Sequence, residues 1–473
     1  MYVPTIGVET HVQLKTKTKL FAAVGNDARE APPNTLISHI CVGLPGALPV
    51  LNQAAIELCT KAAIALGTQP QKLSHFERKH YFYPDLPKGY QITQYESPII
   101  AGGHLHIEVG GEKKCIRIER ANLEEDAGKN THPAGADYSL VDLNRAGTPL
   151  LEIVSQPDIH SAAEAKAYAR ELWLIMKYAG VTDGDLYHGH LRFDINISVS
   201  QDPDKLGIRS EIKNLNSFRS VEAAVDYEIK RQAELLKKGG RVIQETRGWD
   251  EIKQKSLAQR SKEEAQDYRY MPEPDVPPIE LDGQYIREIE DSMPQLPQMI
   301  RHKLSKIDIQ PKVIEDILDR PSIVEPILDV LDKANANDAR RAAFWLIHAQ
   351  PIEPEMAGMI EPEIDSERLI LLSKMVDRGE LSSSGAKKVF EQLLSSTDKP
   401  KVIAARLKLL QVSDERRIER IVAEVIAENP QAVEDVRRDE KAIGFLVGQV
   451  MAKSQGQANP GLAQKLIKKL LNL

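Results

Sequence analysis

Near its start the chain reads Val8-Glu9-Thr10-His11-Val12-Gln13-Leu14, with a strongly polar or ionisable side chain at every second position. Because successive side chains of a β-strand point to opposite faces, Glu9, His11 and Gln13 are predicted to share one face. Two later stretches repeat the alternation, namely Arg192-Phe193-Asp194-Ile195-Asn196-Ile197-Ser198 and Arg209-Ser210-Glu211-Ile212-Lys213. If the three strands share a sheet, its polar face suits Mg²⁺ and phosphate chemistry. Alternation alone also fits antiparallel strands whose polar faces are simply hydrated.

Length and composition describe a multidomain globular protein. The 473 residues are too many for one core, and 42% hydrophobic with 28% charged residues is ordinary for folded domains. No apolar run reaches transmembrane length, and the N-terminal residues lack a signal-peptide pattern, so a cytoplasmic protein without membrane contact is expected. The net charge of −7 argues against a generally basic nucleic-acid binder, so RNA contacts would come from local patches.

The order of strand and helix patterns predicts an α+β fold. Up to about residue 292, strand-like alternation and glycine turns predict a domain with a largely antiparallel sheet. Helical periods interrupt it at Asn52–Leu66, Ser161–Tyr178 and about Ser220–Lys238. Prolines then crowd Met271–Pro278, and the remainder has helical periodicity. We expect a cradle domain at 1–292, a helical domain at 293–405 and a helical tail domain at 406–473.

Several kinds of site are not indicated. Cys41, Cys59 and Cys115 are odd in number and form no C-x-x-C pair, which argues against a disulfide framework and a cysteine zinc site. The sequence contains no G-x-x-x-x-G-K-[ST] loop and no dinucleotide fingerprint, so any ATP is bound by another kind of site. No serine or cysteine lies in a recognisable nucleophile motif, which makes a covalent hydrolase an unsuitable interpretation.

Two further stretches combine chemically useful residues. Glu77–Gln94 concentrates cations, aromatic residues and turn residues, which suits a nucleotide or an RNA end, although the aromatic rings could equally fill a core beneath a loop. Glu124–Lys129 places three acids before a glycine and a lysine, which fits either a solvated turn or part of a cation site. Composition does not choose between these alternatives.

Taken together, these stretches resemble the B subunit of the tRNA-dependent amidotransferase, in order and over essentially the whole chain. The resemblance is carried by Gly7–Leu14, Gly43–Val50, Arg78–Gln94, Glu124–Lys129, Asp142–Leu150, Glu211–Phe218, Gln244–Arg247, Ser261–Tyr270 and Gly444–Leu471. It implies a ligase that amidates misacylated Glu-tRNA(Gln) and/or Asp-tRNA(Asn) in a heterotrimer with an A and a C subunit. In that family the A subunit releases ammonia from glutamine, while the B subunit uses ATP and Mg²⁺ to phosphorylate the side-chain carboxylate.

The resemblance also implies roles for individual residues. Expected metal ligands are Glu9, His11, Glu125, Asp194 and Glu211, completed by Glu245 or Glu251. Expected contacts to ATP or to the substrate carboxylate are Lys79, Tyr81, Lys88, Arg145, Arg192 and Lys213. Glu125, Lys79, Arg145 and Lys213 are the expected catalytic set, and the tail helix is expected to contact tRNA through Lys465, Lys468 and Lys469.

The chain departs from the family where many relatives carry four zinc-binding cysteines. Ala22 and Val24 replace the first pair, and Cys41 alone remains of the second, so no structural zinc is expected. Two other functions remain open: a non-catalytic scaffold that binds tRNA, and a free-standing ligase, which would need its own ammonia source. The sequence does not show which misacylated tRNA is used.

Overall fold

The computed structural model describes residues 2–133, 135–202, 205–261, 267–348, 365–411, 415–454 and 458–473. The chain divides into two compact units, Met1–Pro297 and Gln298–Leu473. The predicted three-domain division, with its boundary between 405 and 406, stays a prediction. Among the described helices, none is both long enough and apolar enough to cross a membrane.

The first unit is built around strands. They are β1 (Val3–Gln13), β2 (Leu73–Ser74), β3 (Glu77–His80), β4 (Tyr90–Thr93), β5 (Ile100–Ala101), β6 (His104–Val109), β7 (Glu112–Glu125), β8 (Lys129–Thr131), β9 (Leu140–Asp142), β10 (Pro149–Ser155), β11 (Leu191–Ser200), β12 (Ser210–Leu215), β13 (Glu245–Asp250), β14 (Lys255–Ser261), β15 (Met271–Pro272) and β16 (Ile279–Glu280). Its helices are α1 (Gln53–Ala65), α2 (Ala162–Tyr178), α3 (Phe218–Lys237) and α4 (Gly283–Asp291), while α5 (Pro297–Leu304) begins at the boundary.

A nine-stranded sheet organises this unit in the order β14-β13-β12-β11-β1-β10-β7-β5, with β6 paired to β7. The pairs are antiparallel except for β12 and β13, which run parallel. A smaller sheet, β15-β3-β4, carries part of the aromatic stretch. The prediction of an α+β fold with a largely antiparallel sheet is confirmed.

The alternation in β1 reflects burial on one face. Ile6, Val8 and Val12 are buried, whereas Glu9 and His11 are partly exposed. The buried faces of β11 and β6 pack against α3 and α2, respectively. Asn52, Ser161 and Ser217 cap α1, α2 and α3 with their side-chain oxygens. Helices therefore cover one face of the sheet and leave its polar face for other contacts.

The second unit is helical throughout its described residues. It contains α6 (Pro311–Leu318), α7 (Pro321–Lys333), α8 (Ala336–His348), α9 (Ser366–Asp377), α10 (Ser383–Leu393), α11 (Pro400–Arg406), α12 (Glu415–Glu428), α13 (Pro430–Arg438), α14 (Ile443–Lys453) and α15 (Pro460–Leu471), with short 3₁₀ turns at Ser305–Ile307 and Glu440–Ala442. The last four helices share a hydrophobic core that runs from Ile418 to Leu471. That core is built without residues from α6–α11.

Candidate active site

A cavity of about 460 Å³ lies over the polar face of the large sheet. Five neighbouring strands, β7, β10, β1, β11 and β12, contribute to its lining, and the β3–β4 region and the segment after β7 contribute the rest. The lining residues are Glu9, His11, Lys79, Tyr81, Asp85, Gln91, Glu124, Asp126, Ala127, Leu150, Glu152, Arg192, Asp194, Lys213 and Asn214. The alternating stretches therefore do share one sheet, and their polar side chains converge on one cavity.

Strand register explains this convergence. In the β1–β11 pair, Glu9 lies opposite Asp194 and His11 lies opposite Arg192. On the other side of β1, His11 lies opposite Glu152 of β10. Directly opposed residues of antiparallel strands place their side chains on the same face, about 5 Å apart. Register thus brings residues almost two hundred positions apart in the sequence into one cluster.

One group in the cavity has the geometry of a cation site. His11 Nε2 lies 3.7 Å from Glu152 Oε1 and 3.9 Å from Glu124 Oε1. One ligand atom from each of the three residues lies within 4.8 Å of the others. Asn122 Nδ2 donates to Glu152 Oε2 at 2.8 Å, and Thr93 Oγ1 donates to Glu124 Oε2 at 2.9 Å. These hydrogen bonds hold both carboxylates in place around the imidazole.

The structure brings Glu124, rather than the predicted Glu125, to His11. Because β7 is extended, Glu125 points away from Glu124, and its carboxylate forms a buried ion pair with Lys88. The same carboxylate accepts a 2.9 Å hydrogen bond from the backbone N–H of Ile92. Lys88 and Glu125 thus connect the β4 region to β7 instead of lining the cavity.

A second acidic group lies nearby around Lys213. Its Nζ lies 3.2 Å from Glu211 Oε1 and 3.5 Å from Asp194 Oδ2. Asp194 Oδ1 also accepts a 2.8 Å hydrogen bond from the backbone N–H of Asn214, which has a left-handed φ of 61°. Glu9 accepts from Asn196 Nδ2 at 2.9 Å. Glu9, Asp194, Glu211 and Lys213 are therefore brought together as the sequence predicts.

Charge in the cavity is strongly unbalanced. Its lining contains six carboxylates but only three cationic side chains, Lys79, Arg192 and Lys213. Burial, followed by repulsion from Glu152, raises the pKa of Glu124 to about 8. Burial and the carboxylates of Glu152, Glu211 and Asp194 likewise raise the pKa of Glu9. Such an oxygen-rich, negatively charged site fits a divalent cation, which would favour the ionised carboxylates.

The side chains predicted to contact ATP or the substrate carboxylate lie at different places around this cavity. Lys79, Tyr81 and Arg192 line it, and Arg192 Nη2 donates to Asp126 Oδ2 at 2.9 Å. Arg145 binds the same carboxylate oxygen at 3.2 Å and donates to the carbonyls of Ala127 and Gly128. Asp126 therefore joins two of the predicted arginines at the rim of the site.

Glu245 and Glu251 are not brought to the cavity. Since β13 runs parallel to β12, Thr246 lies beside Glu211 and donates to it at 3.1 Å. Glu245 occupies the opposite face, where it pairs with Arg247 and Arg231 next to α3. Glu251 accepts a 3.0 Å hydrogen bond from Ser220 in the first turn of α3. The structure thus separates both glutamates from the other predicted ligands.

Two of the predicted tRNA contacts in α15 already have acidic neighbours. Lys468 forms an ion pair with Glu440, and Lys469 Nζ lies 3.3 Å from Glu419 Oε1. Of the three lysines, Lys465 and Lys469 are exposed and Lys468 is partly buried.

Sequence reasoning did not single out Glu124 and Glu152 as members of this site. Glu152 is the one charged residue in the apolar run Leu150–Val154. An isolated charge in a buried strand is unusual, and this feature could have identified Glu152 from the sequence. Glu124 offers no comparable signal, because β7 is buried on both faces from Ala121 to Glu125 and alternation disappears there.

Comparisons with known proteins agree with the resemblance carried by the sequence. Residues 4–287 match the family described as the GatB/GatE catalytic domain, and residues 329–471 match the GatB domain. A protein from Persephonella marina is 43% identical and one from Carboxydothermus hydrogenoformans is 42% identical, each aligned over 99% of this chain and over 99% and 98% of its own length, respectively. Both are named as the B subunit of an aspartyl/glutamyl-tRNA(Asn/Gln) amidotransferase. The resemblance is confirmed, and the chain belongs to the family of aspartyl/glutamyl-tRNA(Asn/Gln) amidotransferase B subunits.

Proposed function

We propose that this chain is the amide-forming subunit of a glutamine-dependent aspartyl/glutamyl-tRNA amidotransferase, a ligase complex. Its substrates would be ATP, ammonia and Glu-tRNA(Gln) and/or Asp-tRNA(Asn). The observation that carries the proposal is the acidic cavity, because its lining comes entirely from the residues that match the catalytic domain. The cavity combines carboxylates for a metal ion with cations for phosphate oxygens.

The proposed metal site consists of His11, Glu124 and Glu152, with Glu9, Asp194 and Glu211 as further oxygen ligands on the same face. The proximity of these carboxylates and the raised pKa of Glu9 and Glu124 support this assignment. Mg²⁺ bound there would neutralise phosphate oxygens of ATP during phosphoryl transfer. Asn122 and Thr93 would hold the two glutamates through their hydrogen bonds.

The cations are proposed to bind the reacting anions. Lys79, Arg192 and Lys213 line the cavity and would hold the ATP phosphates and the carboxylate of the aminoacyl group. An oxygen of that carboxylate attacks the γ-phosphorus, and ADP leaves. Ammonia then attacks the carbonyl carbon, and phosphate leaves with the former carboxylate oxygen. Tyr81 lies at the same wall, while Arg145 and Lys88 would act through Asp126 and Glu125.

The proposal assigns ammonia production to a partner. A glutaminase A subunit and a C subunit would complete a heterotrimer, since the sequence shows no nucleophile motif for glutamine hydrolysis. We also propose a cytoplasmic location, where aminoacyl-tRNA and ATP are present. A non-catalytic tRNA scaffold is the alternative, but such a scaffold has no need for a buried cluster of like charges, which costs stability.

Removing a proposed metal ligand tests the function. We expect Glu9→Gln or Asp194→Asn to lower the rate of amide formation about a hundredfold or more. Even the loss of a residue that only hydrogen-bonds to a metal ligand typically lowers metal affinity or activity about ten- to hundredfold. Glutamine hydrolysis by the A subunit should persist. The assay combines the chain with its A and C partners, misacylated tRNA, ATP, Mg²⁺ and glutamine, and measures amidated tRNA.

Glu251→Gln is the matched control, because Glu251 is a ligand predicted from the sequence that lies beside Ser220 in the structure. That variant should keep both its amidation rate and its Mg²⁺ dependence. Normal amidation by the Glu9→Gln complex would refute the metal assignment. Normal amidation without ATP would refute the phosphorylation step.

A further inference from the structure

Four tyrosines form a row of ring contacts beside the cavity. Tyr81 lines the cavity, and its ring meets that of Tyr268 edge to face, with centroids 6.4 Å apart. Tyr268 contacts Tyr270 at 6.1 Å, and Tyr270 stacks on Tyr95 at 4.3 Å with the two planes 15° apart. In a chain with only 5% aromatic residues, this concentration beside the site requires an explanation.

The smaller sheet brings these residues together. Tyr81 follows β3, Tyr95 lies two residues beyond β4, and Tyr268 and Tyr270 immediately precede β15, which pairs with β3. The backbone N–H of His80 donates to the carbonyl of Tyr268 at 2.8 Å. Strand pairing therefore fixes the row against the rim of the cavity.

Simple core filling does not account for the outer end of the row. Tyr95 keeps 53% of its surface exposed although it stacks on Tyr270, whereas a ring that only filled a core would be buried. At the inner end, Lys79 Nζ lies 4.8 Å from the centroid of the Tyr268 ring. Burial, followed by the carboxylates of Glu152 and Glu124, raises the pKa of Tyr270.

We propose that Tyr95 and Tyr270 form a stacking site for an adenine base. The inference rests on the proposed function, which brings two adenine carriers to this cavity: ATP and the 3′-terminal adenosine of the tRNA. Exposed aromatic faces stack on bases, while neighbouring cations attract the attached phosphates. Tyr268 would support Tyr270 from the side, and Lys79 would link the row to the phosphate end of the ligand.

The test uses 2-aminopurine, an adenine isomer that loses fluorescence when it stacks. The assembled complex is titrated in one arm with 2-aminopurine riboside triphosphate and in the other with tRNA that carries 2-aminopurine at its 3′ end. We expect quenching in one arm, and that arm identifies the source of the base. Tyr95→Leu and Tyr270→Leu should raise the dissociation constant of the quenched probe roughly tenfold or more.

Tyr95→Phe and Tyr95→Trp retain a stacking ring and should restore the quenching. Phe344→Leu is the control: Phe344 is also 53% exposed and its ring centroid lies 4.3 Å from that of His348, with the planes tilted by 36°, but it lies in the second unit. Absence of quenching in both arms, or unchanged quenching in both leucine variants, would overturn the proposal. Quenching is measured without turnover of the substrate. The amount of amidated tRNA formed at saturating substrate therefore tests the proposed function separately.

Discussion

The adjacent residues Glu124 and Glu125 have different surroundings, although they are only one position apart in the sequence. Glu124 lies beside His11 and Glu152, whereas Glu125 is bound to Lys88 and to a backbone N–H. Both are buried, but Glu125 is in direct contact with the Lys88 ammonium group, whereas the described neighbour of Glu124 is the imidazole of His11 at 3.9 Å. A buried carboxylate without such a partner disfavours ionisation, and a bound metal ion would reverse that preference.

This difference predicts a pH dependence of stability. The pKa of Glu124 is raised from 4.5 to about 8, so the folded state binds more protons than the unfolded state between these values. Without metal, stability should therefore fall as the pH rises from about 6 to about 8.5, by roughly 2 kcal/mol through this residue. Mg²⁺ requires ionised ligands, so its stabilising effect should grow over the same range.

The measurement is the thermal midpoint of the chain at several pH values, with and without Mg²⁺. Glu124→Gln should flatten the metal-free profile relative to the unsubstituted chain. If both proteins show the same profile without metal, Glu124 does not titrate in this range and the electrostatic argument fails.

At the scale of elements, the β11–β12 pair positions Asp194 through an irregularity. The register shifts between Phe193 and Ile195, and Asn214 of β12 adopts its left-handed conformation there. Its backbone N–H consequently donates to the side-chain carboxylate of Asp194 in the neighbouring strand β11. Asparagine tolerates this conformation better than other residues with a Cβ, apart from aspartate.

We expect Asn214→Ala to cost about 1 kcal/mol of stability, because alanine is strained at this φ, and to raise the Mg²⁺ concentration needed for amidation. Asn214→Gly should keep both properties, since the hydrogen bond to Asp194 comes from the backbone N–H. Denaturant unfolding and a Mg²⁺ titration measure the two effects. Equal behaviour of the alanine and glycine variants would show that the left-handed conformation is dispensable.

Strand periodicity allowed much of the site to be predicted. It fails where both faces of a strand are buried or where the pairing of strands, rather than the local sequence, sets the face of a side chain. Glu9, His11 and Asp194 were predictable because their strands bury one face more than the other. The choice between Glu124 and Glu125 was not, because the end of β7 is buried on both faces. The face that Glu245 occupies was not predictable, because the parallel pairing of β13 sets it and that pairing leaves no local pattern.

At the scale of the whole molecule, the catalytic match and the tail belong to different compact units. The helices α12–α15 have a core of their own. The predicted boundary between residues 405 and 406 falls at the end of α11. A domain with its own core can fold by itself, so α12–α15 could bind a ligand without contributing residues to the cavity of the first unit.

Deleting residues 415–473 should therefore weaken tRNA binding while the first unit stays folded. We expect the dissociation constant for tRNA to rise about tenfold or more at fixed salt, with a shallower dependence on salt, because phosphate contacts are lost. Lys465→Ala is a milder version that removes one exposed lysine of the three predicted contacts. An unchanged dissociation constant after the deletion would exclude the tail as a tRNA contact.

The central position of β1 has a consequence for how the protein is made. Although β1 opens the chain, its partners are β10 and β11, which end at Ser155 and Ser200. At about 5–20 residues per second, a ribosome needs roughly 10 to 40 s to synthesise those partners. Until both partners are synthesised, β1, which has one apolar face, has at least one unpaired edge, and this exposes it to aggregation. The nascent chain should therefore depend on chaperone protection until residue 200 has emerged.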